Sequence, residues 1–450
     1  MRVTSIARVM IATAIVALLV HGSVVAIKAR MDPSHSLLAI FRIGELAPDG
    51  STSHPSFVTD ERFPLERGGH GTDGQQYLFV AHDPLALHGE MGKAIDAPRY
   101  RYGRILLPTV AFATCAARSP CIPFAILAWN LVFATSAGAA AAWLVRKRGA
   151  HPAWALVLCC SGGLICATDI AGVEVAAACF TLWAIVAYES DRIALATVAF
   201  ALAGLARESH LIVAVAFVAV ALRDRRTRDA AILASSALPR IAWSAWLVAR
   251  GVPVGAHGGA ALNFTWPFGG LAAHLVEFAR APHVTGSTLI TLVVAVPLLG
   301  MMGREAWVLV STMARRHGDE LWARKAVMIS GDDVSWGAEP RSDAPQTSPR
   351  NLQELALAPP SPAHQLRSRG AGEGGRGGEV CALATTLALL LALCASSQVW
   401  VRAGGFARAF EMVYATSVLA ALQRRDRVTL VLSLSTFAHA LNVMAAHFIE

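Results

Sequence analysis

Charge is what this chain has least of. Only 16% of its 450 residues are Asp, Glu, Lys or Arg, against about a quarter in soluble domains. That shortage excludes an ordinary water-soluble protein of several domains, because each domain needs a polar outer face. The eight cysteines contain no CxxC pair, which excludes the common zinc and redox motifs. Cys115, Cys121, Cys159, Cys160, Cys166, Cys179, Cys381 and Cys394 lie almost entirely in apolar stretches and read as small packing residues, not as a disulfide framework. The net charge of +8 does not mark a nucleic-acid binder. Its Lys and Arg gather at the ends of apolar blocks, where membrane orientation accounts for them.

What the chain has instead is apolar sequence in blocks. Hydrophobic residues make up 55% of it, and its mean hydropathy is +0.49. Many of the blocks approach the roughly 17 to 25 residues that a helix needs to cross a bilayer core. They fall at 9–28, 121–145, 152–168, 170–188, 193–206, 209–222, 229–249, 286–302, 380–396, 408–422 and 428–448. The pattern predicts an all-α polytopic membrane protein of about eleven transmembrane helices, placed in the inner or plasma membrane. The first block follows Arg2 and Arg8, is longer than a signal-peptide core and has no A-x-A site after it, so it reads as an uncleaved span.

Orientation depends on the short blocks 193–206 and 209–222. As one 30-residue helix they would bury Arg207 and Glu208 near mid-bilayer, which costs several kcal/mol. As a hairpin they put the N-terminus and the segments 146–148, 189–192, 223–228 and 424–427 on one face, with thirteen Lys and Arg against five in the short segments opposite. The positive-inside rule then makes the N-terminus cytoplasmic and the C-terminus external. The chain divides into a membrane core over 1–302 carrying an external loop at 29–120, a cytoplasmic connection at 303–379, and C-terminal helices over 380–450. From about residue 330 the connection is rich in Pro, Gly, Ser and Arg, the composition of disorder. The apolar stretch 105–117 is too short to cross and reads as a helix at the outer interface.

The polar residues of the external loop are the candidates for chemistry. Asp73 follows Gly68, Gly69 and Gly71, which allow close backbone approach to a ligand, and Tyr77 with Val80 and Ala81 recur at helical spacing after it. As a structural residue, Asp73 would be an N-cap. Asp83, before Pro84, reads as a turn starter. His70, Asp73, His82, Asp83 and His88 match no zinc spacing; a carboxylate-bound divalent cation stays open, and no metal site or cofactor is assigned. Arg99, Arg101 and Arg104, with Tyr100 and Tyr102, suit interfacial anchoring and equally suit a lipid phosphate. Arg207 and Glu208 either pair with each other, or Arg207 faces that same phosphate.

The order of one span, a loop carrying "DGQQY", then "YRYGRILLP", a second span with "WNLVFA" and a later span ending "LAGLARESHL" resembles the GT-C superfamily of integral-membrane glycosyltransferases. The likeness is to a bacterial branch with a YDGQ(F/Y)Y-type first external loop. It covers roughly residues 1–300, including "PFGGL" at 267–271, and resumes weakly at 397–410. Thr72 stands where that branch commonly has an aromatic, and the 330–379 insert is unlike it. The resemblance implies a GT-C-like bundle, a donor sugar carried on a polyprenyl phosphate, an acceptor hydroxyl outside the cytoplasm on a cell-envelope glycan, lipid or protein, and a loop carboxylate at the position of Asp73.

The residues fit such a transfer on their own terms. A base must take the acceptor proton, which Asp73 can do. Cations must steady the departing phosphate, for which Arg101, Arg104 and Arg207 are candidates, with Tyr77 and Glu208 in support. One carboxylate acting in line would invert the anomeric centre. The competing readings are a transporter or lipid flippase, with His21 and the Pro239–Arg240 pair as its midplane candidates, and a non-catalytic scaffold.

Overall fold

In the computed structural model the described residues are 3–45, 54–58, 63–69, 71–254 and 411–431, with single positions between 300 and 311 and at 383, 433 and 434. All but single positions of the spans expected at 286–302 and 380–396, most of 428–448 and the connection 330–379 lie outside them. The described part is mostly helical, and three helical stretches are long and apolar enough to cross a membrane: Ile6–Met31, Ile122–Lys147 and Thr227–Ala249.

Helix α1 (Val3–Met31) leads into a 3-10 turn at Leu37–Phe41 and a two-residue parallel ladder between Ile43–Gly44 and Leu65–Glu66. The rest of the loop forms four short helices: α2 (Asp73–His82), α3 (Gly89–Ala94), α4 (Pro98–Tyr102) and α5 (Leu106–Thr114). Helix α5 coincides with the stretch expected at the interface. Helix α2 is buried on every side from Gly74 to Ala81, as a helix at the centre of a packed cap must be.

Helix α6 (Ile122–Lys147) runs back through the bundle and packs closely on α1, where a Cβ on Gly138 would come within 3.0 Å of the Ala17 Cβ. Small residues permit this approach, and dispersion contacts then hold the helices together. The block 152–168 is not one helix. It breaks into α7 (Ala153–Cys159) and α8 (Gly162–Asp169), because the Ser161 hydroxyl accepts from the Leu164 N–H at 3.4 Å and caps a new helix.

Helices α9 (Glu174–Glu189), α10 (Ile193–Ala206) and α11 (Leu211–Arg223) follow. The chain turns between the last two at Arg207–His210, as the cost of burying Arg207 and Glu208 requires. The next expected span comprises α12 (Thr227–Ala234), a 3-10 turn and α13 (Leu238–Ala249); α14 (Glu411–Arg424) packs near α6.

Charges sort to the two ends of the bundle. At one end Arg148 meets Glu189 at 2.6 Å, the Arg226 guanidinium lies 5.9 Å from the Tyr188 ring, and Arg304 meets Asp426 at 3.2 Å. The other end carries the loop. There Cys115 and Cys121 form a disulfide, which corrects their reading as packing residues; the six-residue spacing belongs to no recognised pattern, and only the fold of the α5–α6 turn brings them together.

Candidate functional site

Each residue of the stretch Asp73 to Tyr77 has a place fixed by a specific contact. Thr72 enters α2 in extended conformation, but its hydroxyl donates to the Phe41 carbonyl at 3.1 Å instead of capping the helix. Asp73 is therefore the first helical residue and not the N-cap. Its Oδ1 receives Arg101 Nη1 at 2.9 Å, and its side chain keeps 24% of its surface open. Gly74 lies against the link between α8 and α9, and a Cβ there would overlap the Ile170 carbonyl. Gln75 Oε1 accepts from the Gly44 N–H at 2.8 Å and Gln76 Oε1 from the Asp96 N–H at 3.1 Å. Gly71 has φ +71°, and a Cβ on it would stand 2.6 Å from the Arg42 carbonyl, so only glycine fits.

The Tyr77 hydroxyl receives Arg104 Nη1 at 2.9 Å. Burial pushes the Tyr77 phenol up from its ordinary value, and Arg104 and Arg101 offset this only in part. The Arg104 guanidinium stacks on the Tyr100 ring at 4.0 Å, bonds the Tyr100 hydroxyl and holds Glu208 through Nη2 at 2.9 Å and Nε at 3.3 Å. Arg207 does not pair with Glu208. Its Nη1 meets Glu174 Oε1 at 2.6 Å, because the turn after α10 packs over the start of α9. Burial alone would raise the Glu208 carboxyl, but Arg104 and then Arg240 outweigh it and hold the pKa at about 2. Burial likewise works against the charge on Arg101, yet Asp73 and Asp96 keep its pKa well above the usual arginine value.

The candidate residues Asp73, Tyr77, Arg101, Arg104, Arg207 and Glu208 thus gather at the loop end of the bundle. Three further residues join them. Asp96 bonds Arg101 at 2.7 Å, Glu174 bonds Arg207, and Arg240 of α13 reaches within 3.8 Å of Glu208. Arg240 fills space that Gly103 leaves, where a Cβ would stand 2.6 Å from Nη2, and its Nη1 is buried without a hydrogen-bond partner among the described residues. In the sequence Arg240, a charge inside an apolar block, is singled out only as a midplane candidate of the transporter reading, not as a partner of the loop. Asp96 gives no signal beyond lying five residues before Arg101.

The loop is tied to α13 by backbone acceptors. Trp243 Nε1 donates to the Tyr102 carbonyl at 2.7 Å, Trp246 Nε1 to the Leu85 carbonyl at 3.2 Å, and the Arg99 side chain to the Val252 carbonyl at 2.8 Å. Arg99 is therefore a tether at this point. Asp83 organises its own turn by accepting from the Leu87 and His88 N–H groups at 2.9 and 2.7 Å.

Of the described residues considered for a cation, Asp83 and His88 meet at 3.3 Å, and Asp73 and His82 are engaged elsewhere. His82 bonds Leu78 and Ser119, Asp83 serves the amides just named, and His70 lies outside the described residues. Among the described residues no three His, Cys, Asp or Glu side chains are grouped to hold a metal. His21, a midplane candidate, bonds the Thr168 hydroxyl at 2.7 Å and the Cys159 carbonyl at 2.9 Å. Comparison with protein-family models, curated proteins and solved structures finds no match to this chain.

Proposed function

We propose that the protein is a multi-pass membrane glycosyltransferase of about eleven spans that moves a sugar from a polyprenyl-phosphate donor to an acceptor hydroxyl on the external side. The observation that carries this reading is a partly open carboxylate, Asp73, at the edge of a cluster of four arginines. A transporter needs its ionisable groups midway along broken helices; here Asp73, Asp96, Arg101 and Arg104 belong to the loop, and Arg240, inside the broken stretch Thr227–Ala249, reaches toward them through Glu208. The Cys115–Cys121 disulfide supports an external loop, since such bonds persist in oxidising compartments. The cytoplasmic N-terminus follows from the distribution of Lys and Arg.

In the proposed step Asp73 takes the proton of the acceptor hydroxyl while its oxygen attacks the anomeric carbon. The bond from that carbon to the phosphate oxygen breaks, and the polyprenyl phosphate leaves with the electron pair. Arg240, whose buried Nη1 has no hydrogen-bond partner among the described residues and whose Nη2 is 3.8 Å from Glu208, is the cation best placed to take the phosphate; Arg104 and Arg207 stand beside it, each in closer contact with a carboxylate. Fixed donors aimed at developing charge are worth several kcal/mol in a site that excludes water.

The test uses the purified chain in liposomes with a panel of synthetic decaprenyl-phosphate-linked pentoses and hexoses, reading release of decaprenyl phosphate. Asp73→Asn keeps the size of the side chain and removes the proton acceptor, so release should fall by about two to four orders of magnitude. Arg240→Gln should lower it by about ten- to a hundredfold. Wild-type release by Asp73→Asn would falsify the assignment of the base.

A further inference from the structure

The loop holds a second carboxylate to which the transfer step gives no task. Asp96, in the link between α3 and α4, grips Arg101 by two nitrogens, Nε at 2.9 Å and Nη2 at 2.7 Å, while Arg101 Nη1 holds Asp73 at 2.9 Å. One guanidinium therefore serves two carboxylates. Asp96 is itself fixed: its N–H donates to Gln76 Oε1, and its Oδ1 accepts from the Ala97 N–H at 2.6 Å. Gln76 lies one helical turn beyond Asp73 on α2, so contacts close a ring through Asp73, Gln76, Asp96 and Arg101. The side chain of Asp96 keeps 40% of its surface open, so it stands at the same solvent boundary as Asp73.

We infer that Asp96 is a positioning residue for the transfer: by occupying two nitrogens of Arg101 it fixes the guanidinium and divides its charge, leaving Asp73 oriented and basic enough to take the proton. This rests on the reading of Asp73 as the base. An arginine given wholly to one carboxylate lowers that carboxyl's pKa by about one to three units, and a nearby like charge raises it. Asp96 acts on Asp73 in the same sense by both routes, through Arg101 and directly.

Other charged or titratable groups surround α2. Tyr77 and His82 are on the helix itself. Arg42 follows the Leu37–Phe41 turn and lies 3.9 Å from Asp169. Lys93 on α3 is exposed, and α5 carries no ionisable side chain. Arg104 is held by Glu208, and Glu174 of α9 by Arg207. A change at Asp96 alters none of these pairs.

The experiment is the pH profile of kcat/KM for decaprenyl phosphate release in the liposome assay. The acid limb marks protonation of the base. In Asp96→Asn the Arg101 charge falls on Asp73 alone, so the limb moves to lower pH by about one unit and the plateau drops about tenfold as the base weakens. Asp96→Glu restores the position of the limb. Arg101→Gln removes the shared charge and moves the limb to higher pH, which keeps the inference testable if Asp96→Asn does not accumulate. A limb unmoved in both Asp96→Asn and Arg101→Gln overturns the inference, even where the plateau falls, because a residue that only supports the fold changes the amount of active protein and not the titration. Asp73→Asn run in parallel separates the two proposals. If it is inactive while the limb stays put in the other variants, only the role of Asp96 falls; if it is active, the base assignment and this inference fall together.

Discussion

Gly74 shows how closely one residue is specified by its surroundings. A methyl group there would overlap the Ile170 carbonyl, and backbone atoms cannot swing aside as a long side chain can. Gly74→Ala should destabilise the protein by about 1 to 3 kcal/mol, read as a lower midpoint of thermal inactivation in detergent; an unchanged midpoint would mean that α2 is free to shift. Asp83→Asn keeps one acceptor for the two amides that Asp83 now serves, so it should lose about 1 to 2 kcal/mol while leaving the acid limb in place. Glu208 makes stability depend on pH in a defined direction. Its pKa is about 2 in the fold and 4.5 for a free glutamate, so the stability it contributes is fully present above about pH 4.5 and lost as pH falls toward 2. Thermal midpoints across that window should fall in the wild type by more than in Glu208→Gln; equal slopes would remove Glu208 from the account of acid sensitivity.

At the scale of elements, what could be read from the sequence divides by the kind of force involved. The turn between α10 and α11 was legible because two charged residues interrupt an otherwise apolar run, and a bilayer penalises that strongly. Reporter fusions after residues 148, 226 and 426 should all report cytoplasm; an external signal after 226 alone would show the hairpin to be a single crossing. Helix α2 was legible from its spacing. The break between α7 and α8 was not, because Cys159 to Gly163 is apolar or small throughout and a single Ser161 hydroxyl starts the new helix. The set Asp73, Tyr77, Arg101, Arg104 could be placed together from one loop. Glu208 could be named in support, but its pairing with Arg104 and the closure by Glu174 and Arg240 could not be read, since Glu208 lies 104 positions beyond Arg104, Glu174 and Arg240 join through Arg207 and Glu208, and only the packed bundle brings them near.

For the whole molecule, the sorting of charged pairs to opposite ends gives the bundle a polarity that the disulfide marks chemically. Cys115 and Cys121 should resist a thiol-labelling reagent in intact cells until a reductant is added; immediate labelling would show them to be reduced. Helices α10 and α11 have 14 and 13 residues and span only about 20 Å each, while a hydrocarbon core is about 30 Å thick. In the proposed orientation, with the turn carrying Arg207 and Glu208 at the outer boundary, the lower ends of the two helices lie roughly 10 Å short of the cytoplasmic one. The lipid beside this hairpin must then thin, or the neighbouring helices must shield it. Either response makes the ionic cluster sensitive to acyl-chain length, so a bilayer of short-chain lipids should relieve the mismatch and a thick, sterol-stiffened one should drive lipid tails over the mouth of the site.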